Sequence, residues 1–229
     1  MRNERNYPWG QNQKVENIDY SNIPEKLLQR DYQIVLIAGP NAVGKGTIIE
    51  KLLESSEEFV RVVRTTTKPI SELEKGGYYT VSKETFWEMI DDGDFLEWSN
   101  YGQGHYGTRM QDIANSLEKG KRVLIEIDLD GALVLRNFFK NLGINVYDCF
   151  ISPITREETM SEGGMNKALD VIKERLKIRG RNESEIEVEG RVRNAERMLS
   201  RMNEFRYVIP NIQGNTKQAV KTIMQLLGA

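Results

Sequence analysis

Thiol and imidazole are almost missing from this chain, which has one cysteine, Cys149, and one histidine, His105, in 229 residues. A single thiol excludes an intramolecular disulfide and a cysteine-rich zinc site, and a single imidazole excludes a metal centre built from several histidines. No apolar run approaches the roughly 20 residues that a membrane-spanning helix needs. Charge of one sign is also missing: 32 basic residues stand against 34 acidic ones, a formal net charge of −2. That balance gives no global pull toward nucleic acid or a membrane surface, so any basic site must be local. The opening residues MRNERNYPWGQNQ lack the hydrophobic core of a secretion signal, and a soluble cytoplasmic protein is the expectation. There are no repeats or low-complexity tracts, and the length suits one good core with a smaller lobe or two attached.

The most informative stretch is QIVLIAGPNAVGKGT, Gln33 to Thr47. Ile34 to Ala38 are apolar at every position, as a parallel strand covered on both faces requires. The run stops at Gly39, and Ile48, Ile49, Leu52 and Leu53 then return at helical spacing. Between strand and helix, Gly39, Gly44 and Lys45 form the G-x-x-x-x-G-K frame of a phosphate-binding loop. Its glycines let backbone N–H groups turn around phosphate oxygens beside the positive end of a helix. Gly39, Asn41, Ala42, Val43, Gly44, Lys45, Gly46 and Thr47 are therefore candidates to hold the triphosphate of ATP, with Lys45 as a point charge between the terminal phosphates. Gly46 lacks the hydroxyl that ordinarily helps hold Mg²⁺, and Thr47 offers one a place later.

Elsewhere, residues 1–31 are polar with Pro8 and Pro24, the composition of an extended or partly ordered arm. Phe59 to Val63 read as a second strand. TTTKPISELEKGGYYTVS suits hairpins and loops, and Ser82 can cap a helix carrying Phe86, Met89 and Ile90 that ends at Gly93. Residues 65–107 thus form an insertion. A helix over 110–118 precedes the apolar strand Arg122 to Ile127, which carries Glu126 near its end with Asp128 just beyond. At the C-terminal ends of parallel strands these carboxylates face a ligand crevice, where a magnesium-bound phosphate or a base would lie; the bland alternative is solvent-exposed acids in a turn. Strands follow at Val146 to Ile151 and Tyr207 to Ile209, with a closing helix at Lys217 to Leu227. Between them, residues 156–205 carry Lys173, Arg175, Arg179, Arg181, Arg191, Arg193, Arg197 and Arg201. They form either a solvated face with internal ion pairs or a lid whose arginines close over phosphates.

Taken together, IAGPNAVGKGT, GGYYTVS, FLEWSNYGQGHYGT, VLIEIDLDGA, RLKIRG with Arg191 beyond it, and the terminal VIPN resemble guanylate kinases over almost the whole of 32–228. The resemblance implies an α/β, P-loop NTPase-type parallel sheet flanked by helices. The core would span 32–64, 108–155 and 206–229, with a nucleoside-monophosphate-binding lobe at 65–107 and a helical lid at 156–205. It implies transfer of the terminal phosphoryl of ATP to GMP with Mg²⁺, in a monomer or homodimer with no nucleic-acid or membrane partner. Carried over by position, Glu97 and Thr108 would read the guanine edge, joined by Glu126, and Tyr79 and Tyr106 would bind the acceptor phosphate. Thr47 and Asp128 would lie at the metal, Lys45, Arg179 and Arg191 would act on the transferring group, and Asn211 would sit near the adenine.

The chain departs from that pattern in the stretch TTTKPISELE. The family carries T-T-R-x-P-R there, with two arginines on the acceptor phosphate and a glutamate beyond. Thr67 and Ile70 replace the arginines, and Leu73 the glutamate. Each hydrogen bond to a charged partner contributes roughly 1.5–3 kcal/mol, so GMP affinity would fall unless Arg64, Lys68 or Arg109 moves in. Smaller departures are Asn41 and Ala42 in the loop, Asp130 for a usual glutamine, His105 for a frequent tyrosine, and extra residues around 161–166. Two alternatives stay open: a kinase of the same fold with another phosphorylated acceptor, and a non-catalytic guanylate-kinase-like binding module.

Overall fold

The computed structural model describes residues 32–69, 76–101, 104–119, 122–179, 184–213 and 215–229. The calls made for residues 1–31, Ile70, Leu73 and Arg181 lie outside them.

Two sheets organise the described residues. The first has the order β2-β7-β1-β8-β9, with all pairings parallel: β1 (Gln33–Ala38), β2 (Phe59–Arg61), β7 (Arg122–Glu126), β8 (Asn145–Ser152) and β9 (Tyr207–Pro210). The central strand is covered on both faces, and Ile34 to Ala38 are each 0% exposed. That burial explains why its sequence is continuously apolar rather than alternating. The sole cysteine, Cys149, is buried on β8 opposite Ile37. Helices α1 (Lys45–Ser55), α3 (Met110–Leu117), α4 (Leu129–Asn141) and α8 (Thr216–Leu227) pack apolar faces against this core.

Because all five strands run the same way, the segments that follow β1, β7 and β9 leave the sheet at one edge. The phosphate loop, Asp128 and Asn211 are thus gathered there from distant parts of the chain.

The second sheet has the order β4-β3-β6-β5, from β3 (Arg64–Thr66), β4 (Tyr78–Thr80), β5 (Phe95–Tyr101) and β6 (Gly104–Arg109). Its own small core consists of Phe86, Phe95 and Trp98, with Phe86 stacked 4.7 Å from Phe95. Phe86 comes from α2 (Lys83–Asp91), whose cap is the expected one: the Ser82 hydroxyl accepts from Thr85 N. His105 has a packing role, half-buried against Phe86 and Trp87, and burial, with Lys83 nearby, lowers its pKa.

One sequence expectation is corrected and one element is new. GGYYTVS does not return as a hairpin: β4 runs parallel to β3, and the intervening residues supply the long connection that a parallel pair needs. Helix α4 was not anticipated, although Asp128 caps it and Leu129, Ala132, Leu135, Phe138 and Phe139 are buried. That periodic run follows directly on the strand and its acids.

The charged segment forms α5 (Arg156–Met160), α6 (Gly164–Ile178), α7 (Glu185–Ser200) and a 3-10 turn at Met202–Glu204. Ala168, Leu169, Ile172 and Leu176 of α6 and Ala195, Met198 and Leu199 of α7 join the main core, so both helices are rooted in the body. Much of the charge pairs internally, as a solvated face would: Arg193 with Glu189, Lys173 with Asp170, and Arg197 and Arg201 both with Asp130 of α4. The end of α6 and the start of α7 differ, since Ile178 and Ile186 are exposed.

Candidate active site

The turn after β1 is built from unusual backbone angles. Gly39 has φ +138°, Ala42 +61° and Gly44 +89°. At Gly39 a Cβ would run into Ile151 O on β8, and at Gly44 into the side-chain amide of Asn211, so glycine is required twice over. Ala42 adopts the left-handed region without that freedom. Gly44 caps α1 with no side-chain hydrogen bond, leaving the first-turn N–H groups of the helix to an incoming anion.

Lys45 folds back over this turn, its Nζ donating to Gly39 O and Pro40 O, both at 2.9 Å. Burial lowers its pKa, Arg179 adds to that, and Glu126 and Asp128 oppose it. The site therefore holds Lys45 with Arg179 in electrostatic reach, and both cations favour a polyanion between them. Asn211 braces the turn from β9: its amide donates to Val43 O at 2.7 Å and its backbone N to Ser152 O at 2.8 Å. Its carbonyl accepts from Arg175 of α6 at 2.8 Å, and its buried Oδ1 has no partner among the described residues.

Asp128 Oδ1 accepts from Gly131 N at 2.8 Å, fixing the start of α4 beside the phosphate turn. Thr47 is exposed on the first turn of α1. Among the described residues no three His, Cys, Asp or Glu side chains cluster as a metal cage. A magnesium ion carried in on a nucleotide keeps several waters and needs only one or two protein oxygens, so the lack of such a cluster does not bear on it.

A second cluster spans three strands of the smaller sheet. Glu97 on β5 faces Thr108 on β6, and Arg64 on β3 is the next neighbour across the ladder. The Arg64 guanidinium donates from Nε to Thr108 Oγ1 at 2.8 Å, from Nη1 to Glu126 O at 3.0 Å and from Nη2 to Glu97 Oε1 at 2.7 Å. Thr108 donates to the same Glu97 oxygen at 2.5 Å. All three side chains are buried, with Glu97 2% exposed. Glu97 Oε2 has no hydrogen-bond partner among the described residues and lies over the first turn of α4, where a Cβ on Gly131 would sit 2.8 Å away. Burial raises the Glu97 carboxyl, with Asp128 adding to this while Arg64 and Thr108 oppose it. Burial alone would lower Arg64, but Glu97, Tyr78 and Asp128 more than compensate and hold it charged.

Glu126 closes the gap between the clusters. Its Oε2 accepts from Arg61 at 3.0 Å, and that guanidinium lies 5.9 Å from the centre of the Tyr78 ring. Tyr78 meets Tyr106 edge-on at 5.7 Å, and burial, with Glu126 next, pushes its phenol up to about 12. Tyr79, the next residue along β4, is 52% exposed.

The structure thus brings Lys45, Asn211, Asp128, Glu126 and Arg179 to one edge, with Glu97, Thr108 and Arg64 alongside. Arg191 lies on α7, in the field of Glu187. Arg64 is committed inward by three bonds and does not stand ready at a phosphate. Thr67 is turned toward His105, accepting from its backbone N at 3.0 Å and lying 3.3 Å from Nδ1. Sequence reasoning passed over Arg61 and Tyr78; strand alternation in GGYYT separates the two tyrosines but does not tell which faces inward.

Comparison with known proteins gives a consistent picture. A guanylate kinase family model matches residues 31–227. Curated guanylate kinases that resemble the chain include one from Synechocystis, 31% identical over 86% of this chain and 93% of that protein. One from Prochlorococcus marinus is 32% identical over 79% of this chain and 89% of its own length. Among solved structures, the guanylate kinase of Anaplasma phagocytophilum matches the fold with a TM-score of 0.60 at 22% identity, covering 88% of this chain and 87% of that one. The family model spans both sheets and the helices after them, and the chain belongs to the guanylate kinase family.

Proposed function

We propose that this chain transfers the terminal phosphoryl group of ATP to a nucleoside monophosphate, with GMP the favoured acceptor. The observation that carries this reading is the phosphate turn, whose open helix start and lysine lie within the field of a second cation, Arg179. Phosphoryl transfer needs in-line positioning and neutralisation of charge more than a covalent catalyst. Lys45 and the N–H groups of Gly44 to Thr47 bind and orient the triphosphate, and Asn211 keeps the turn in shape beside the adenine. Thr47 and Asp128 would hold the magnesium ion, which when bound neutralises charge on the phosphate oxygens. Arg179, at the end of α6, and Arg191, on α7, act on the transferring group and help exclude water, the outer ends of these two core-rooted helices serving as the lid.

The acceptor occupies the lobe at 65–107. Its base lies against Glu97, Thr108 and Glu126, and its phosphate against Tyr79 and Tyr106, with Lys68 in place of the missing arginines. Lys68 brings a point charge where a planar fork would bind two oxygens, so the acceptor binds with a higher KM than the family pattern implies. Such a kinase works where ATP and nucleoside monophosphates are made and used, which favours the cytoplasm. A second reading, a same-fold kinase with another phosphorylated acceptor, is favoured by the turning of Thr67 toward His105. A coupled assay with ATP, Mg²⁺ and a panel of nucleoside monophosphates tests both. GMP turnover supports the first reading, turnover only of another acceptor supports the second, and no turnover with any acceptor overturns both.

A further inference from the structure

Buried carboxylate oxygens are nearly always paired, so Glu97 Oε2, without a donor among the described residues, points to a ligand. Its twin Oε1 is saturated, with one lone pair taken by Arg64 and the other by Thr108. Hydrogen bonds to described residues account for three of the five N–H groups on Arg64. Among the described residues the cluster therefore offers one acceptor, Glu97 Oε2, beside a guanidinium with two N–H groups outside these three bonds. That pair complements a cyclic lactam, in which a carbonyl oxygen accepts from arginine and the adjacent ring N–H donates to the carboxylate. A 6-oxopurine presents this edge as O6 and N1–H, and arginine is a common partner of that oxygen. An adenine edge is reversed at both positions, setting donor against donor and acceptor against acceptor.

We propose that Arg64 is a specificity-determining residue: by claiming one oxygen of Glu97, it leaves a pocket that reads the lactam edge of 6-oxopurine monophosphates and ignores the 2-amino group. The inference rests on the kinase reading above, with Glu97 at the base. A carboxylate with both oxygens free could pair N1–H and the 2-amino group together. Sites that hydrogen-bond a substrate group reject the analogue lacking it by about 10⁴-fold or more. With one oxygen engaged, guanine keeps one good bond to Glu97, the same one that hypoxanthine makes.

The test measures kcat/KM of the full chain for GMP, IMP and AMP under the same ATP and Mg²⁺. The expected result is a GMP-to-IMP ratio below tenfold, with AMP at least a hundredfold poorer than either. A ratio of tenfold or more in favour of GMP, or AMP turnover comparable to GMP, overturns the inference. Arg64→Ser frees one of the two lone pairs of Oε1, the other staying with Thr108, and is expected to raise the GMP-to-IMP ratio at least tenfold, a change that a merely structural arginine would not cause. If that variant does not melt cooperatively, Arg64→Lys, which cannot span Thr108, Glu97 and Glu126 together, is read on the same ratio. An unchanged ratio in the folded variant overturns the assignment. Should the chain turn over no monophosphate, the kinase reading fails by itself. Calorimetric affinities for GMP and IMP then judge Arg64 by the same tenfold line, and binding of neither nucleotide overturns it.

Discussion

The two ends of the site are built by opposite means. At the phosphate turn, backbone N–H groups, glycine angles and one lysine come from a single run of residues, and the helix start is left open. At the Glu97 cluster, side chains from three strands close on one another, and one oxygen of the central carboxylate is already used up inside the protein. A site made of backbone is fixed by local sequence and departs little from its family's pattern. A site made of converging side chains depends on every partner, and the bonds of Arg64 reach Thr108, Glu126 and Glu97 together.

The comparison can be broken most sharply at the lysine. Lys45→Ala is expected to lower kcat by about a thousandfold, a loss near 4 kcal/mol of transition-state stabilisation, while the far-ultraviolet spectrum and melting temperature stay close to those of the parent. Undiminished turnover would remove the turn from the mechanism. On the other side, Glu97→Gln keeps the shape but leaves the Arg64 cation buried without its counter-charge. About 3 kcal/mol of stability should be lost, read as a lower urea midpoint at constant slope. An unchanged midpoint would mean that the pair contributes nothing net.

A smaller effect sharpens the contrast from the acceptor side. Thr67→Arg together with Ile70→Arg supplies two planar donors for an acceptor phosphate, at the cost of the Thr67 bonds to His105. Steady-state kinetics should show the KM for GMP falling about tenfold, roughly 1.4 kcal/mol, with little change in kcat. A raised KM would place the phosphate elsewhere. The smallest change is Ala42→Gly. It relieves a left-handed alanine but frees the unfolded chain, so stability should rise by less than about 1 kcal/mol in chemical denaturation.

This contrast also explains what could be read from residues alone. Gly39, Gly44 and Lys45 announced the phosphate turn because their spacing encodes the geometry directly. The buried run Ile34 to Ala38 announced its strand for the same reason, as did Ser82 its helix. By contrast, the bonds of Arg64 to Glu97 and Thr108 join residues 33 and 44 positions away in the chain, and only the pairing of β3, β5 and β6 reveals them. Arg64 stood in the sequence as a spare cation beside a phosphate, because nothing local says which face of a short strand it occupies. Likewise, Asp128 as a helix cap needed the apolar rhythm of Leu129 to Phe139, hidden behind a strand and two acids.

The lone thiol has a practical use that follows from its place in the central sheet. Cys149 is 1% exposed, and burial, with Asp148 second, pushes its pKa up to about 12. Almost no thiolate exists at neutral pH, and reagents that attack sulfur meet a closed wall. Among the described residues no other sulfhydryl competes for label, so alkylation timed against denaturant becomes a clock for the opening of the sheet itself.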